Sequence, residues 1–277
     1  MISPNPGELV THRSALILMT ALLAGCGGMR QASSPIYDLR ATQAPLEYTA
    51  EIENLTTVVT PGGDQEIAST MSLALTLTYG SRTAKGLPVE VVFNEFATEG
   101  QGPDLSGMLG QPFRGIVSNE GDIELTEFPE LDIPGFDGSA MVQVIHPLII
   151  PLPPGGQLTD DPWPLERSRE PGGGMTGVAS FDGFVRLAAD TVWSGIPARM
   201  IISSGEIRQR ASGSPPGAPG EVDVDTEGSA ESTYAWDPAR GIVLHVTVTT
   251  EMDGSVSTQG MVLPLTVSTT ARYDLVE

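Results

Sequence analysis

The chain has 277 residues, with 14 basic against 35 acidic side chains and a formal charge of −21. Such a field repels phosphate backbones and anionic lipid surfaces and argues against nucleic acid as a partner. One cysteine, Cys26, leaves no intrachain disulfide, so the fold must rest on its core. Thirty-two glycines and 23 prolines, a fifth of the chain against a usual ~12%, punctuate short apolar runs in the manner of a turn-rich β protein.

The first element is apolar. Ala15 to Gly25 are apolar or small apart from Thr20, preceded by His12 and Arg13. The run is about half of the ~20 residues a membrane span needs, and it fits the ~7–15-residue core of a secretory signal. The polar start, Met1 to Thr11, is long for a signal and leaves the translation start open. At the end of the run, Leu23-Ala24-Gly25-Cys26 resembles the lipobox of bacterial lipoproteins. The resemblance implies cleavage between Gly25 and Cys26, a diacylglycerol on the thiol and an acyl chain such as palmitate on the new amino terminus. Residues 1–25 are then a signal peptide, and 252 residues remain, enough for one large or two small cores. The segment removed holds Glu8 and Arg13, which cancel, so the net charge is unchanged. Gly27 follows in place of the aspartate that retains enteric lipoproteins in the inner membrane, so the resemblance implies an outer-membrane address in a host with two membranes.

Residues 26–44 contain Gly-Gly and Ser-Ser-Pro and read as a lipidated tether, with a β-rich domain over 45–277. The dominant period there is two. Met71, Leu73, Leu75, Leu77 and Tyr79 fall on one face of a strand and Ser72, Thr76 and Thr78 on the other. Leu87, Val89, Val91 and Phe93 repeat the pattern after a turn at Gly80 to Gly86. Phe113 to Val117, the turn Ser118 to Gly121 and Ile123 to Leu125 read as a hairpin.

Between Ser139 and Ile150 the period changes: Ala140, Met141, Val144, Ile145, Leu148 and Ile149 recur at helical spacing behind a capping Asp137-Gly-Ser139, and Pro147 would kink or end the helix. A strand through Val142 and Val144 is the rival reading. A proline-rich crossover, Pro147 to Gly156 and Asp160 to Pro164, allows a sub-division near 150–175. Strands are expected again at Val185 and Leu187, Ile196 to Ile202, Ile242 to Val248 and Met261 to Val267, with a loop at Gly213 to Gly220. Short connections favour antiparallel neighbours. The expected fold is therefore mainly β, an antiparallel meander forming a sandwich or a strongly curved open barrel, with at most one or two short helices. Phe113 to Ile123 and Tyr234 to Val243 each run from an aromatic strand through a glycine turn into another strand, which allows two similar halves.

Beyond residue 45 the chain resembles secreted β-rich bacterial lipoproteins of uncharacterised families, through the strands after a lipobox, the central Asp161-Pro-Trp163 and the closing Trp236-Asp-Pro-Ala-Arg-Gly241 hairpin. The relatives tend to read Gly-Asp-x-Trp in the centre, whereas Gly156 and Trp163 stand further apart here. The resemblance implies a fold and no activity.

Chemistry is sparse. His245 alternates with Leu244 and Val246 and reads as a solvated strand residue beside Thr247 and Thr249; His146 reads as a partly buried, satisfied histidine. Neither has a neighbour at metal-ligand spacing. No Gly-x-Ser-x-Gly or Ser-x-x-Lys is present, and Lys85 is the only lysine. Glu221, Asp223, Asp225 and Glu227 share one face of a strand, where they suit a Ca²⁺ ion weakly or a water-facing edge better. No cofactor is expected. The function expected is that of a membrane-anchored, non-enzymatic binding or structural module of the cell envelope, with the membrane as partner through the lipid on Cys26 and a hydrophobic ligand or envelope protein as a second. Its alternative is a carrier of a lipid on a curved sheet, as in the lipoprotein carriers such an architecture would resemble; a carboxylate hydrolase ranks third.

Overall fold

Alternating side chains become strands over most of the chain in the computed structural model, which describes residues 39–42, 44–99, 105–129, 141–153, 161–171, 175–214, 220–258 and 260–276. The expected signal, the expected lipobox with Gly25 and Cys26, most of the expected tether and the expected helix cap at Asp137 to Ser139 lie outside these residues. The strands are β1 (Leu46–Thr60), β2 (Gly63–Tyr79), β3 (Leu87–Glu99), β4 (Pro112–Val117), β5 (Ile123–Glu127), β6 (Trp163–Arg169), β7 (Met175–Trp193), β8 (Ile196–Gly213), β9 (Val222–Asp237), β10 (Ile242–Thr258) and β11 (Met261–Val276). All pair antiparallel in one sheet, in the order β5-β4-β3-β2-β1-β11-β10-β9-β8-β7-β6. Two meanders thus run outward from the adjacent first and last strands, and the fold is the open curved sheet of the two shapes expected. β1 was not foreseen, and Trp163, assigned to the crossover, instead begins the edge strand β6.

The face of the sheet that the period of two defines is the core face. Tyr48, Ala50 and Ile52 of β1, Leu73 to Tyr79 of β2, and Leu87 to Phe93 of β3 alternate inward and are buried. They join Val185, Ile201, Tyr234, Trp236, Val246 and Tyr273 from the other meander in a single cluster, so no core boundary falls at 150–175. The segment between the meanders fills the hollow. Helix α1 (Val142–Ile145) passes into a 3-10 turn at His146–Leu148 that holds Pro147, as the spacing predicts, and Met141, Ile145, Leu148, Ile149, Ile150 and Leu152 are all buried in that cluster. Burying each such side chain contributes roughly 1.5–3 kcal/mol. The folded body begins earlier than expected: Leu39 is 1% exposed in the core, Thr42 N–H donates to the Tyr79 carbonyl at 3.0 Å, and Arg40 reaches the Ala239 carbonyl at 3.1 Å. Residues 39–42, expected in the tether, thus belong to the packed body, because the apolar Leu39 has a core to enter.

Curvature comes from glycines on the inner face. A Cβ on Gly228 would stand 1.9 Å from the Glu251 carbonyl oxygen, one on Gly254 2.1 Å from that of Asp225, and Gly183 and Gly205, which face each other across β7 and β8, are as crowded. Only glycine lets neighbouring backbones bend this closely. The two sheet edges are thereby brought together at one end. Arg167 of β6 pairs with Asp122 at 3.0 Å and donates to the Gly121 carbonyl at 3.2 Å, beside β5, while Leu152 N–H donates to Glu120 O at 3.1 Å.

Candidate functional site: the concave face beyond the plug

The strands outrun their core. Seven of them continue past the plug formed by residues 141–152, and the pairing registers show which side chains line their inner surface. One inner row reads Phe181, Ile207, Gly228, Met252, Val267, Thr56 and Ile67, from β7 across to β2. The next reads Ala179, Gln209, Thr226, Gly254, Leu265, Val58 and Gln65, and the row toward the plug reads Gly183, Gly205, Ala230, Thr250, Thr269, Asn54 and Ser69. None of these side chains carries a formal charge. The outward rows between them hold Arg208, Glu227, Asp253 and Glu66, and Asp182, Glu206 and Glu251. In a chain of net charge −21, the two faces of one sheet are thus sharply divided.

Polar atoms on the inner face satisfy one another. Thr269 Oγ1 donates to Asn54 Oδ1 at 2.8 Å, and Thr226 Oγ1 lies 3.7 Å from Met252 Sδ. Most of the apolar members are half-buried, and toward the hairpin tips Ile67 and Met261 are 47% and 50% exposed. Apolar side chains left partly wet on a concave surface are the usual lining of a ligand-binding hollow.

Among the described residues, cations border this face at the β6 edge. Arg167 and Arg169 of β6 extend the inner rows beside Phe181 and Ala179. Gln143 Nε2 donates to the Pro171 carbonyl at 2.8 Å, which fixes α1 against the end of β6. His146 lies close enough that burial first, then Arg167 and Arg169, hold its pKa well below the ordinary histidine range. It is half-buried, as expected, and its ring nitrogens are not among the buried polar atoms left without a partner.

His245 is corrected. It does face outward, but Trp193 stacks on its ring with centroids 4.2 Å apart, its side chain is 13% exposed, Nδ1 lies 2.7 Å from Asp274 Oδ1, and Nε2 lies 2.9 Å from Thr247 Oγ1. A bulge between Val243 and His245 turns Leu244, expected on the core face, into a small second cluster with Ala198, Ala235 and Ile242. A histidine between a carboxylate and a hydroxyl has the order of a catalytic relay, yet neither recess described below adjoins it.

The four acids behave as a water-facing strand. Glu221, Asp223, Asp225 and Glu227 are exposed on the outer face, Asp225 pairs with Arg210 at 3.3 Å, and Arg208 stands opposite Glu227. Among the described residues no three histidine, cysteine, aspartate or glutamate side chains are arranged to hold a metal ion. A recess of about 490 Å³ includes Glu166, Asp182, Glu206 and Arg208, and one of about 670 Å³ includes Lys85, Glu90, Arg114 and Glu127. The first is lined mainly by charged groups, with Arg208 on Glu206 at 2.9 Å, together with Arg167 and Phe181 of the inner face; the second is lined mostly by uncharged residues around Arg114, which lies between Glu90 and Glu127 at 2.8 and 3.0 Å. No helix among the described residues is long and apolar enough to cross a membrane.

No protein-family model and no curated protein matches the chain. Among solved structures, the chain is similar to one from Nitrosomonas europaea provisionally described as an AttH protein (NE1406), at 11% identity over 92% of this chain and 58% of that one, with a TM-score of 0.20. It therefore spans little more than half of that protein's length. A DUF1329 family protein from Desulfovibrio piger ATCC 29098 matches at 9% identity over 82% of this chain and 83% of that one, with a TM-score of 0.19.

Proposed function

We propose that the protein is a lipid-anchored, non-enzymatic binding module of the cell envelope whose concave face holds an elongated apolar ligand. The observation that carries the ligand reading is the charge-free inner surface of seven strands, backed by an outer surface rich in carboxylates. The packed plug end supports a structural role for that half and confines any ligand to the far half. The lipobox Leu23 to Cys26 supports the anchor, and a ligand-carrying role in the envelope is consistent with it.

The test uses the chain from residue 26 onward with Cys26→Ala, and the neutral fluorophore N-phenylnaphthylamine as probe. Saturable binding is expected, lost in Val267→Asp on the inner face and kept in Thr176→Asp on the outer face. No saturable binding, or equal loss in both variants, would sink the reading. Lipid extraction and mass spectrometry of the protein from its native host would then identify the natural ligand.

A further inference from the structure

We propose that the concave face selects ligands by an anionic headgroup held on Arg167 and Arg169, so that the ligand class is an acyl chain ending in a carboxylate or a phosphate. This deepens the reading above and rests on it. Seven strands present an inner surface without a formal charge, and the cations at its border, Arg167 and Arg169, come from the inward side of a single edge strand, β6. In a chain with two and a half times as many acids as bases, the many carboxylates would be expected to neutralise them. They do so only in part. Arg167 has Asp122 at 3.0 Å and the Gly121 carbonyl at 3.2 Å, which fix its guanidinium at the sheet edge. Arg169 has no hydrogen bond or ion pair among the described residues.

The neighbours sharpen this. Tyr234 of β9 is buried, which raises its pKa, and the nearby Arg167 charge pulls it back down. His146 enters from the plug side, held there by the Gln143 to Pro171 bond. A guanidinium offers several donors in a planar fork that fits carboxylate and phosphate oxygens. A headgroup on Arg169 would leave the acyl chain lying across Phe181, Ile207, Met252 and Val267, the most apolar of the inner rows. The alternative, that the arginines only clip β6 to the β4–β5 turn, accounts for Arg167 and leaves Arg169 without a partner among the described residues.

The experiment compares dodecanol, laurate and dodecyl phosphate as displacers of N-phenylnaphthylamine from the Cys26→Ala chain at fixed ionic strength. Each anion is expected to bind about ten-fold more tightly than the alcohol, the scale of one charge-assisted hydrogen bond. In Arg169→Gln the difference should vanish while dodecanol affinity stays the same; Arg169→Lys should restore part of it, and Arg208→Gln on the outer face should change nothing. Equal affinity for all three amphiphiles, or an unaltered preference in Arg169→Gln, overturns the headgroup assignment while leaving the concave site standing. Failure of all three to displace the fluorophore would defeat both. A preference for one anion over the other assigns the headgroup as carboxylate or phosphate.

Discussion

Single residues show how differently the two histidines are housed. His245 sits in strict alternation, yet a bulge one position earlier and a tryptophan 52 residues away along the chain convert a solvated position into a stacked one. His146 is the more consequential, because burial favours its neutral form. Its pKa in the folded state is lowered, so the unfolded chain, with a histidine pKa of ~6.5, takes up the proton first. Its contribution is therefore complete above about pH 6.5 and is lost as the pH falls below it, by up to about 1.4 kcal/mol per pH unit. Thermal unfolding between pH 7.5 and 5 should consequently show a steeper acid loss in the wild type than in His146→Gln; parallel curves would contradict the buried neutral ring. Core positions give a simpler contrast. Leu75 and Leu77 are fully buried, and alanine at either should cost ~2–5 kcal/mol. Thr76, on the opposite face, accepts only an exposed bond from Asn94 at 2.7 Å, and its alanine variant should cost under about 1 kcal/mol in the same denaturation assay. The motif Trp236 to Gly241 also gains a physical meaning here. Buried Asp237 accepts the Ala239 and Arg240 N–H groups at 2.8 and 3.1 Å and pairs with Arg240 at 2.6 Å, which fixes the β9–β10 turn.

At the scale of elements, legibility followed burial. β2 and β3 were readable because their apolar residues alternate against a dry core, and the helix was readable because Met141, Ile145, Leu148 and Ile149 all face that core. β1 was missed although Tyr48, Ala50 and Ile52 alternate, since from Asn54 onward the strand leaves the core and its inner side chains turn polar and small. β6 was hidden by Pro162 and Pro164, which read as breakers; an edge strand tolerates proline because one side of it needs no ladder bond. The concave site was illegible for a related reason. It is assembled from residues such as Thr226, Gly254 and Gln65, each unremarkable alone, that meet only through seven registers. The glycines are the testable part of that assembly. Gly228→Ala would force a Cβ against the Glu251 carbonyl and should destabilise by about 1–3 kcal/mol, with strain rather than lost burial as the cause. Gly62→Ala, at the β1–β2 tip with no backbone atom near its Cβ, should change the unfolding midpoint little. Equal effects would mean that curvature is not set by these close approaches.

For the whole molecule, the division of charge between faces bears on the proposed anchor. The exposed carboxylates are spread along cross-strand rows and interrupted by Arg208 and Arg210, so millimolar Ca²⁺ should leave the melting temperature nearly unchanged, because an ion stabilises only by binding the folded state more tightly than the unfolded one. A rise of many degrees, abolished by Asp225→Asn, would restore the calcium reading. A surface so negative is repelled by an anionic bilayer, so the proposed attachment would depend on the lipid at the amino terminus. Leu39, which is buried, lies thirteen positions after Cys26, a reach of at most roughly 45 Å. One acyl chain holds a protein only marginally, at ~0.8 kcal/mol per buried methylene, and stable anchoring takes more than one signal; the diacylglycerol and amide-linked acyl chain that the lipobox implies would supply it. The wild-type protein is therefore expected in the membrane pellet and the detergent phase, and Cys26→Ala in the soluble fraction. Because residue 26 precedes the first described strand by twenty positions, the variant should keep the far-ultraviolet strand signal and the fluorophore affinity of the concave face. Wild-type protein recovered soluble with a free thiol would defeat the anchor while leaving the binding reading intact; loss of strand signal in Cys26→Ala would show that the terminus and the sheet are not independent.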